Sequence, residues 1–286
     1  MSGASGLVVV DKPGGMTSHD VVARARRTLG TRKVGHAGTL DPMATGVLVL
    51  GFGRATRLLG HLLLAEKTYD ATVRLGVSTS TDDADGEVTA TAPATAVDEA
   101  AVRAALGAFQ GDIEQVPSSV SAIKVAGRRA YDLVREGAEV DLPARRVHIR
   151  AIEAGEFQRD GDVLDLRLRV ACSSGTYIRA IARDLGAALG VGGHLTSLRR
   201  TSVGPFTLTG ANTDLDHLYG LDIRQAARMS FPAVDLTEAQ ATDVRYGRKL
   251  DLALGDGPHA LFAPDGEFLA LYEAAGEQAK AVAVFV

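Results

Sequence analysis

The chain has 286 residues, 46% hydrophobic and 23% charged, which fits a soluble globular enzyme of one large domain or a medium one with an appendage. No apolar run approaches the roughly 20 residues of a membrane span, and the opening Met-Ser-Gly-Ala-Ser-Gly lacks the basic-then-apolar order of a secretory signal. One cysteine, Cys172, excludes an internal disulfide and suits a reducing cytoplasm, seven scattered histidines show no metal-ligand spacing, and a net charge of −4 weighs mildly against nucleic acid.

Leu7 to Val10 form an apolar run that reads as a buried strand, stopped by the turn residues of Asp11-Lys12-Pro13-Gly14-Gly15. Ser18 then serves as an N-cap for a helix ending near Leu29 with Gly30 as its stop. Val21, Val22, Ala25 and Leu29 share its inner face, while Arg24 and Arg27 point away. A glycine-punctuated loop, Gly35 to Pro42, runs into a second buried strand at Val47–Leu50. Thr68 to Leu75 alternates as a strand. Val97, Ala101, Val102, Ala105, Leu106 and Phe109 lie on one helical stripe.

The clearest strand is Leu164 to Cys172, with Leu164, Leu166, Leu168 and Val170 inward and Asp165, Arg167 and Arg169 outward. Ser173-Ser174-Gly175-Thr176 turns from it into a helix carrying Ile178, Ile181, Ala182, Leu185 and Leu189 inward. From about residue 233 three short β-like runs appear, at 259–262, 267–272 and 280–286, with Pro264-Asp265-Gly266 as a hairpin turn. Strands and helices do not alternate strictly, so an α+β mixed sheet is expected, with a small β-rich module at 233–286.

The charges are unevenly spread. Arg24, Arg26, Arg27, Arg32, Lys33, Arg54 and Arg57 crowd the first sixty residues. Lys124, Arg128, Arg129, Arg135, Arg145, Arg146 and Arg150 form a second basic cluster, and Asp82, Asp83, Asp85 and Glu87 an acidic one. A basic face on an acidic protein fits this pattern, as do plain solvated charges.

Five residues could carry chemistry. Asp41 precedes Pro42, which keeps it out of helical geometry, at a loop end just ahead of a buried strand. That placement suits a reachable nucleophile on a rigid support, and it equally suits an Asx turn. The glycines around His36 are not followed by Gly-Lys-Ser/Thr, so no known nucleotide loop is present. Tyr69, at a strand start, could offer a stacking face to an unstacked base, worth about 1–3 kcal/mol. Tyr177 and Arg179 open a helix where the dipole favours anions, so Arg179 calls for a dedicated partner, and a carboxylate would suit it.

Taken together these segments resemble the TruB-type tRNA pseudouridine synthases along most of the chain. The resemblance rests on Asp11-Lys12-Pro13-x-Gly15-x-Thr17-Ser18, on Val34-Gly35-His36-Ala37-Gly38-Thr39-Leu40-Asp41-Pro42-x-Ala44-x-Gly46-Val47-Leu48, and on Lys67-Thr68-Tyr69 with Gly76, Thr79, Thr81, Asp82 and Gly86. Ser174-Gly175-Thr176-Tyr177-Ile178-Arg179 and Leu198-Arg199-Arg200-Thr201 complete it. It implies a catalytic domain over 1–232, mainly antiparallel, and a PUA-like RNA-binding module over 233–286. Residues 117–146 would form an RNA-binding flap.

The implied reaction converts uridine to pseudouridine at T-loop position 55 of tRNA. Asp41 would be the nucleophile, Tyr69 the platform for the flipped base, and Arg179 the partner of Asp41. Tyr177 and Leu198 would line the pocket with Lys12 nearby, and His36 would enter the T loop. All atoms of the uridine are retained, so no cofactor is required. The expected partner is the tRNA T-arm stem-loop, met by a monomer. Two departures stand out: Val120, after Ser118 and Ser119, replaces the usual tyrosine or methionine of the flap, and the C-terminal segment is short and not basic. A tRNA-folding chaperone with secondary catalysis would share the basic face without needing Asp41. An aspartate hydrolase of a small substrate would show no salt-dependent binding.

Overall fold

Residues 5–118, 124–125, 128–129 and 142–286 are described, from a computed structural model. Most of the expected flap, with Ser119, Val120 and Arg135, lies outside them, as do the side chains of Lys124, Arg128 and Arg129. The chain forms two compact units that interleave along the sequence. One comprises Met1–Asp41, Val47–Leu63 and Val203–Val286; the other comprises Pro42–Gly46 and Leu64–Ser202. Among the described residues no helix is long and apolar enough to cross a membrane.

In the first unit, strand Gly6–Lys12 pairs antiparallel with Leu221–Asp222, and its Leu7, Val8 and Val10 are fully buried. The strand therefore runs two residues further than the apolar pattern suggests, into Asp11 and Lys12. Helix Ser18–Thr28 follows. Its N-cap is Thr17, one residue before the expected Ser18, in a reciprocal capping box with Asp20. The hydroxyl of Ser18 is committed elsewhere, as described below. Val21, Val22 and Ala25 are buried as expected, and Gly30 takes the left-handed conformation just past the C-cap Leu29. Val34–His36 pairs antiparallel with the end of strand Thr45–Phe52.

The C-terminal residues of this unit contain the three expected strands, His259–Phe262, Phe268–Ala275 and Gln278–Val284, joined antiparallel. Two elements escaped the sequence pattern: Ala233–Asp235, parallel to the first strand, and helix Glu238–Arg245. Leu236, Val244, Leu261, Leu269 and Tyr272 form a core of their own. Arg54 donates to the Phe285 carbonyl at 2.6 Å, and Arg57 donates to that of Val284 and lies over the Phe285 ring.

The second unit is built on the strands Gly193–Val203, Lys67–Leu75, Val163–Cys172, Arg145–Asp160 and Gly111–Gln115, in that spatial order. The last four are joined by antiparallel pairs. Leu164, Leu166, Leu168 and Val170 point inward opposite Val73, Leu75 and Ala71, giving one apolar face. Thr45 and Gly46 join this sheet as a short parallel pair with Arg199 and Arg200. Gly46 is required there: its φ is +102°, and a Cβ would sit 2.2 Å from the Arg200 carbonyl oxygen.

Helix Glu99–Leu106 is shorter than the stripe implied. Asp98 caps it, and Val102 and Leu106 are buried with Val97 ahead of the helix, but Ala101 is exposed. Helix Ile178–Ala188 buries Ile178, Ile181, Ala182 and Leu185 as expected, together with Arg179.

Candidate active site

The first unit carries Lys12, His36 and Asp41. Asp41 is half-buried at the end of the Gly35–Pro42 loop. That loop is pinned on both sides. Ala37 donates to the Val49 carbonyl at 2.9 Å, extending the ladder one residue past His36. At the other end the buried Ser18 hydroxyl accepts from the Leu40 N–H at 2.8 Å and donates to the Leu40 carbonyl at 3.1 Å. One side chain from helix Ser18–Thr28 thus satisfies both backbone polar groups of Leu40, the residue before Asp41, a job that bulk water would do less rigidly.

Lys12 is fully buried at the end of its strand. Its Nζ donates to the carbonyls of Pro13 at 2.9 Å and Met16 at 2.6 Å, closing the turn ahead of Thr17 and Ser18. His36 is half-buried and meets His19 edge to face, with ring centroids 5.7 Å apart.

The basic character of this unit is narrower than the composition implies. Arg24 is bound by Asp216, with one contact at 2.8 Å, and Arg26 donates to the Val34 carbonyl at 3.1 Å. With Arg54 and Arg57 holding the C-terminal strand, four of the seven cations have protein partners, whereas Arg27, Arg32 and Lys33 are exposed.

The second unit carries Tyr69, Tyr177, Arg179 and Leu198. Tyr69 is buried in strand Lys67–Leu75, opposite Val170, and Leu198 is buried in Gly193–Val203. Tyr177 is half-buried as the N-cap of its helix. Arg179 is only 4% exposed, and its guanidinium donates to the Thr81 carbonyl at 2.8 Å and lies 3.3 Å from the Asp83 carboxylate. The carboxylate partner that Arg179 calls for thus includes Asp83, itself buried.

Asp83 is held in turn. It accepts from the Thr81 hydroxyl at 2.5 Å and from the Asp85 N–H at 3.1 Å, while its carbonyl accepts from Thr79 at 2.7 Å. Gly86 fits against this turn because a Cβ would lie 2.4 Å from the Thr81 hydroxyl. Asp82 has a φ of +61°, a conformation that aspartate tolerates better than most side chains. Burial pushes its carboxyl up, countered in part by Arg183, which contacts it at 3.2 Å. The acidic cluster read from the sequence is therefore partly an arginine-binding turn.

Lys67 and Arg200 are buried cations in the same unit. Burial, reinforced by the Arg200 charge, pushes the Lys67 ammonium down to about 8, and its Nζ donates to the Ala65 carbonyl at 2.6 Å. Burial likewise pushes the Cys172 thiol, opposite Lys67 in the ladder, up to about 11. Among the described residues no group of three or more His, Cys, Asp or Glu is placed to hold a metal ion.

Asp83, Ser18 and Gln115 were missed as site residues by the sequence reading. Asp83 gave a signal as part of the acidic run beside Thr79, Thr81 and Gly86, and Ser18 gave one as a helix cap. The contacts that Ser18 and Gln115 make to backbone, across 22 and 62 residues, are ones no local pattern reveals.

Known proteins resemble this chain over nearly its whole length. Residues 26–178 match the TruB family pseudouridylate synthase N-terminal domain. Residues 179–227 match the tRNA pseudouridylate synthase B C-terminal domain, and residues 231–286 match the C-terminal part of tRNA pseudouridine synthase II. The chain is 57% identical to the tRNA pseudouridine synthase B of Arthrobacter sp. (strain FB24), over 98% of this chain and 96% of that one. With its counterpart from Thermobifida fusca (strain YX) the identity is 54% over 99% of both. A solved Cbf5-Nop10-Gar1 complex contains a chain 27% identical with a TM-score of 0.73, covering 98% of this chain and 85% of that one. A second, from an H/ACA RNP bound to a substrate RNA containing 2'-deoxyuridine, is 26% identical with a TM-score of 0.71, covering 98% and 85%. The chain belongs to the TruB family of pseudouridylate synthases.

Proposed function

We propose that this protein isomerises uridine to pseudouridine in tRNA, at T-loop position 55, with Asp41 as the nucleophile. The observation that carries the reading is the support given to Asp41: a half-buried carboxylate whose preceding peptide is clamped by the buried Ser18 hydroxyl. Full-length likeness to proteins named tRNA pseudouridine synthase B supports tRNA as the substrate.

The chemistry is balanced within the uridine. The bond from N1 to the ribose C1′ breaks and a bond from C5 to C1′ forms. The proton on C5 leaves and N1 gains one. A carboxylate that holds one fragment covalently while the uracil turns meets this need without redox partner or energy source. In this reading Tyr69 is the platform for the flipped base, and stacking worth about 1–3 kcal/mol offsets much of the cost of flipping. Arg179, held by Asp83 and Thr81, is the partner of Asp41 in this reading. Tyr177 and Leu198 wall the base pocket, Lys12 stiffens the turn that carries Ser18, and His36 enters the T loop. Residues 117–146 act as the RNA-binding flap, and 233–286 as a PUA-like module for the same RNA.

The test is pseudouridine formation on an unmodified T-arm stem-loop, without cofactors, by the intact protein and by Asp41→Asn. We expect product from the first and a loss of at least about 10⁴-fold in the second, with RNA binding retained. Salt-sensitive binding with no product from either protein would replace this reading with that of an RNA chaperone.

A further inference from the structure

We infer that Gln115 is a positioning residue for the base pocket, acting through the backbone of Tyr177 to fix the end of the helix that presents Tyr177 and Arg179. The inference rests on the function proposed above. Gln115 is the last residue of strand Gly111–Gln115 and is 2% exposed. Its Oε1 accepts from the Tyr177 N–H at 2.8 Å, and its Nε2 donates to the Tyr177 carbonyl at 3.0 Å. The carboxamide of Gln115 thus answers both backbone polar groups of Tyr177, its N–H and its carbonyl.

The site of this clamp is the N-cap of helix Ile178–Ala188. Tyr177 makes no cap hydrogen bond with its own side chain, and the first turn holds no acidic residue. The usual local devices that fix a helix start are therefore missing, and a residue 62 positions away in sequence supplies the constraint. Rotation of the Tyr177 peptide would swing the tyrosine ring and shift Arg179, two residues on, against Thr81 and Asp83.

A second contact ties the same strand end to the same helix. Arg183, one turn beyond Arg179, donates to the Val116 carbonyl at 2.8 Å and contacts Asp82, the neighbour of Asp83. Residues 115 and 116 thus grip the helix at its start and one turn later. Neither Gln115 nor Arg183 is placed to touch the uracil in this reading. Their effect falls on the geometry of groups that do.

The experiment compares Gln115→Leu and Gln115→Glu with the intact protein on the T-arm stem-loop. It measures the single-turnover rate at saturating RNA, the RNA dissociation constant, and thermal stability. Gln115→Leu removes both hydrogen bonds at similar volume. A misplacement of about 1 Å can cost on the order of 100-fold in rate, so a 10- to 100-fold slower single turnover is expected. The RNA dissociation constant should stay within about 3-fold. Gln115→Glu keeps the acceptor and loses the donor, and protonation of the introduced carboxyl restores a donor. Its rate relative to the intact protein should therefore rise as pH falls, which a merely structural role would not produce.

An intact protein that makes product alongside a Gln115→Leu variant of equal single-turnover rate would overturn the inference alone. A rate loss matched by an equal loss of RNA affinity would also overturn it. Absence of product from the intact protein would instead remove the functional reading. Where Gln115→Leu fails to fold, the near-isosteric Gln115→Glu carries the decision: a flat rate ratio across pH rejects the inference.

Discussion

The loop that carries Asp41 and the helix that carries Arg179 are fixed by opposite kinds of chemistry. On the Asp41 side the restraints run to backbone groups: the Ser18 hydroxyl on Leu40, Ala37 on Val49, and the Lys12 ammonium on the carbonyls of Pro13 and Met16. On the Arg179 side the restraints are largely ionic: the buried pair of Asp83 with Arg179, and the half-buried Asp82 and Asp184 against Arg183. In the proposed reading the Asp41 carboxylate gains from a backbone that is fixed in place. An arginine that must stay oriented in a buried place needs a counter-charge, because desolvation would otherwise be uncompensated. The difference teaches that the two sides should fail differently when damaged.

The larger failure is expected on the ionic side. Asp83→Asn leaves Arg179 buried beside a neutral amide, and breaking one partner of a buried pair costs about 3–5 kcal/mol. We expect a single-turnover rate at least about 100-fold lower, a lower melting temperature, and RNA affinity largely kept. A rate within about 3-fold of the intact protein would show that Arg179 stays oriented without Asp83. The comparison is sharpened by Ser18→Ala. It leaves the Leu40 N–H and carbonyl without their buried partner, and each such loss costs about 1–3 kcal/mol. Here a roughly 10-fold slower rate is expected, with Ser18→Thr restoring part of it through the same hydroxyl. If Ser18→Ala lowered only stability and left the single-turnover rate intact, the hydroxyl would be a fold element with no bearing on Asp41.

The same contrast explains what could be read without coordinates. The place of Asp41 at a loop end was legible because Pro42 and the flanking glycines impose a backbone shape through local sterics, and the Val47–Leu50 run announces the strand behind it. The alternating strand Leu164–Cys172 and the helix after it were legible for the same local reason. Ser18 was seen but misassigned as an N-cap: Thr17 and Ser18 both have the right chemistry, and only the distant Leu40 decides which hydroxyl caps. Arg179 was recognised as needing a carboxylate, yet Asp83 looked like one member of a solvated acidic run. Its role depends on a turn with a positive φ at Asp82 and on a helix almost a hundred residues away. The strand Ala233–Asp235 was too short to carry a pattern, and it exists only because a parallel neighbour supplies its hydrogen bonds.

The smallest effect expected concerns Lys67, and it separates buried charge from useful charge. Burial and the Arg200 charge hold its ammonium at about 8, against an ordinary value of 10.5. At pH 7 both folded and unfolded chains carry the proton, and the folded state bears the full cost of the buried charge. Above about pH 8 the folded state sheds the proton while the unfolded chain retains it until near 10.5. The unfolded state then binds more protons, so this group makes stability rise with pH across that window. Lys67→Met removes the titration. Its melting temperature relative to the intact protein should therefore be highest at pH 7 and fall steadily between pH 8 and 10. A difference that stays constant over this range would mean that Lys67 keeps its charge, held by partners strong enough to offset its burial.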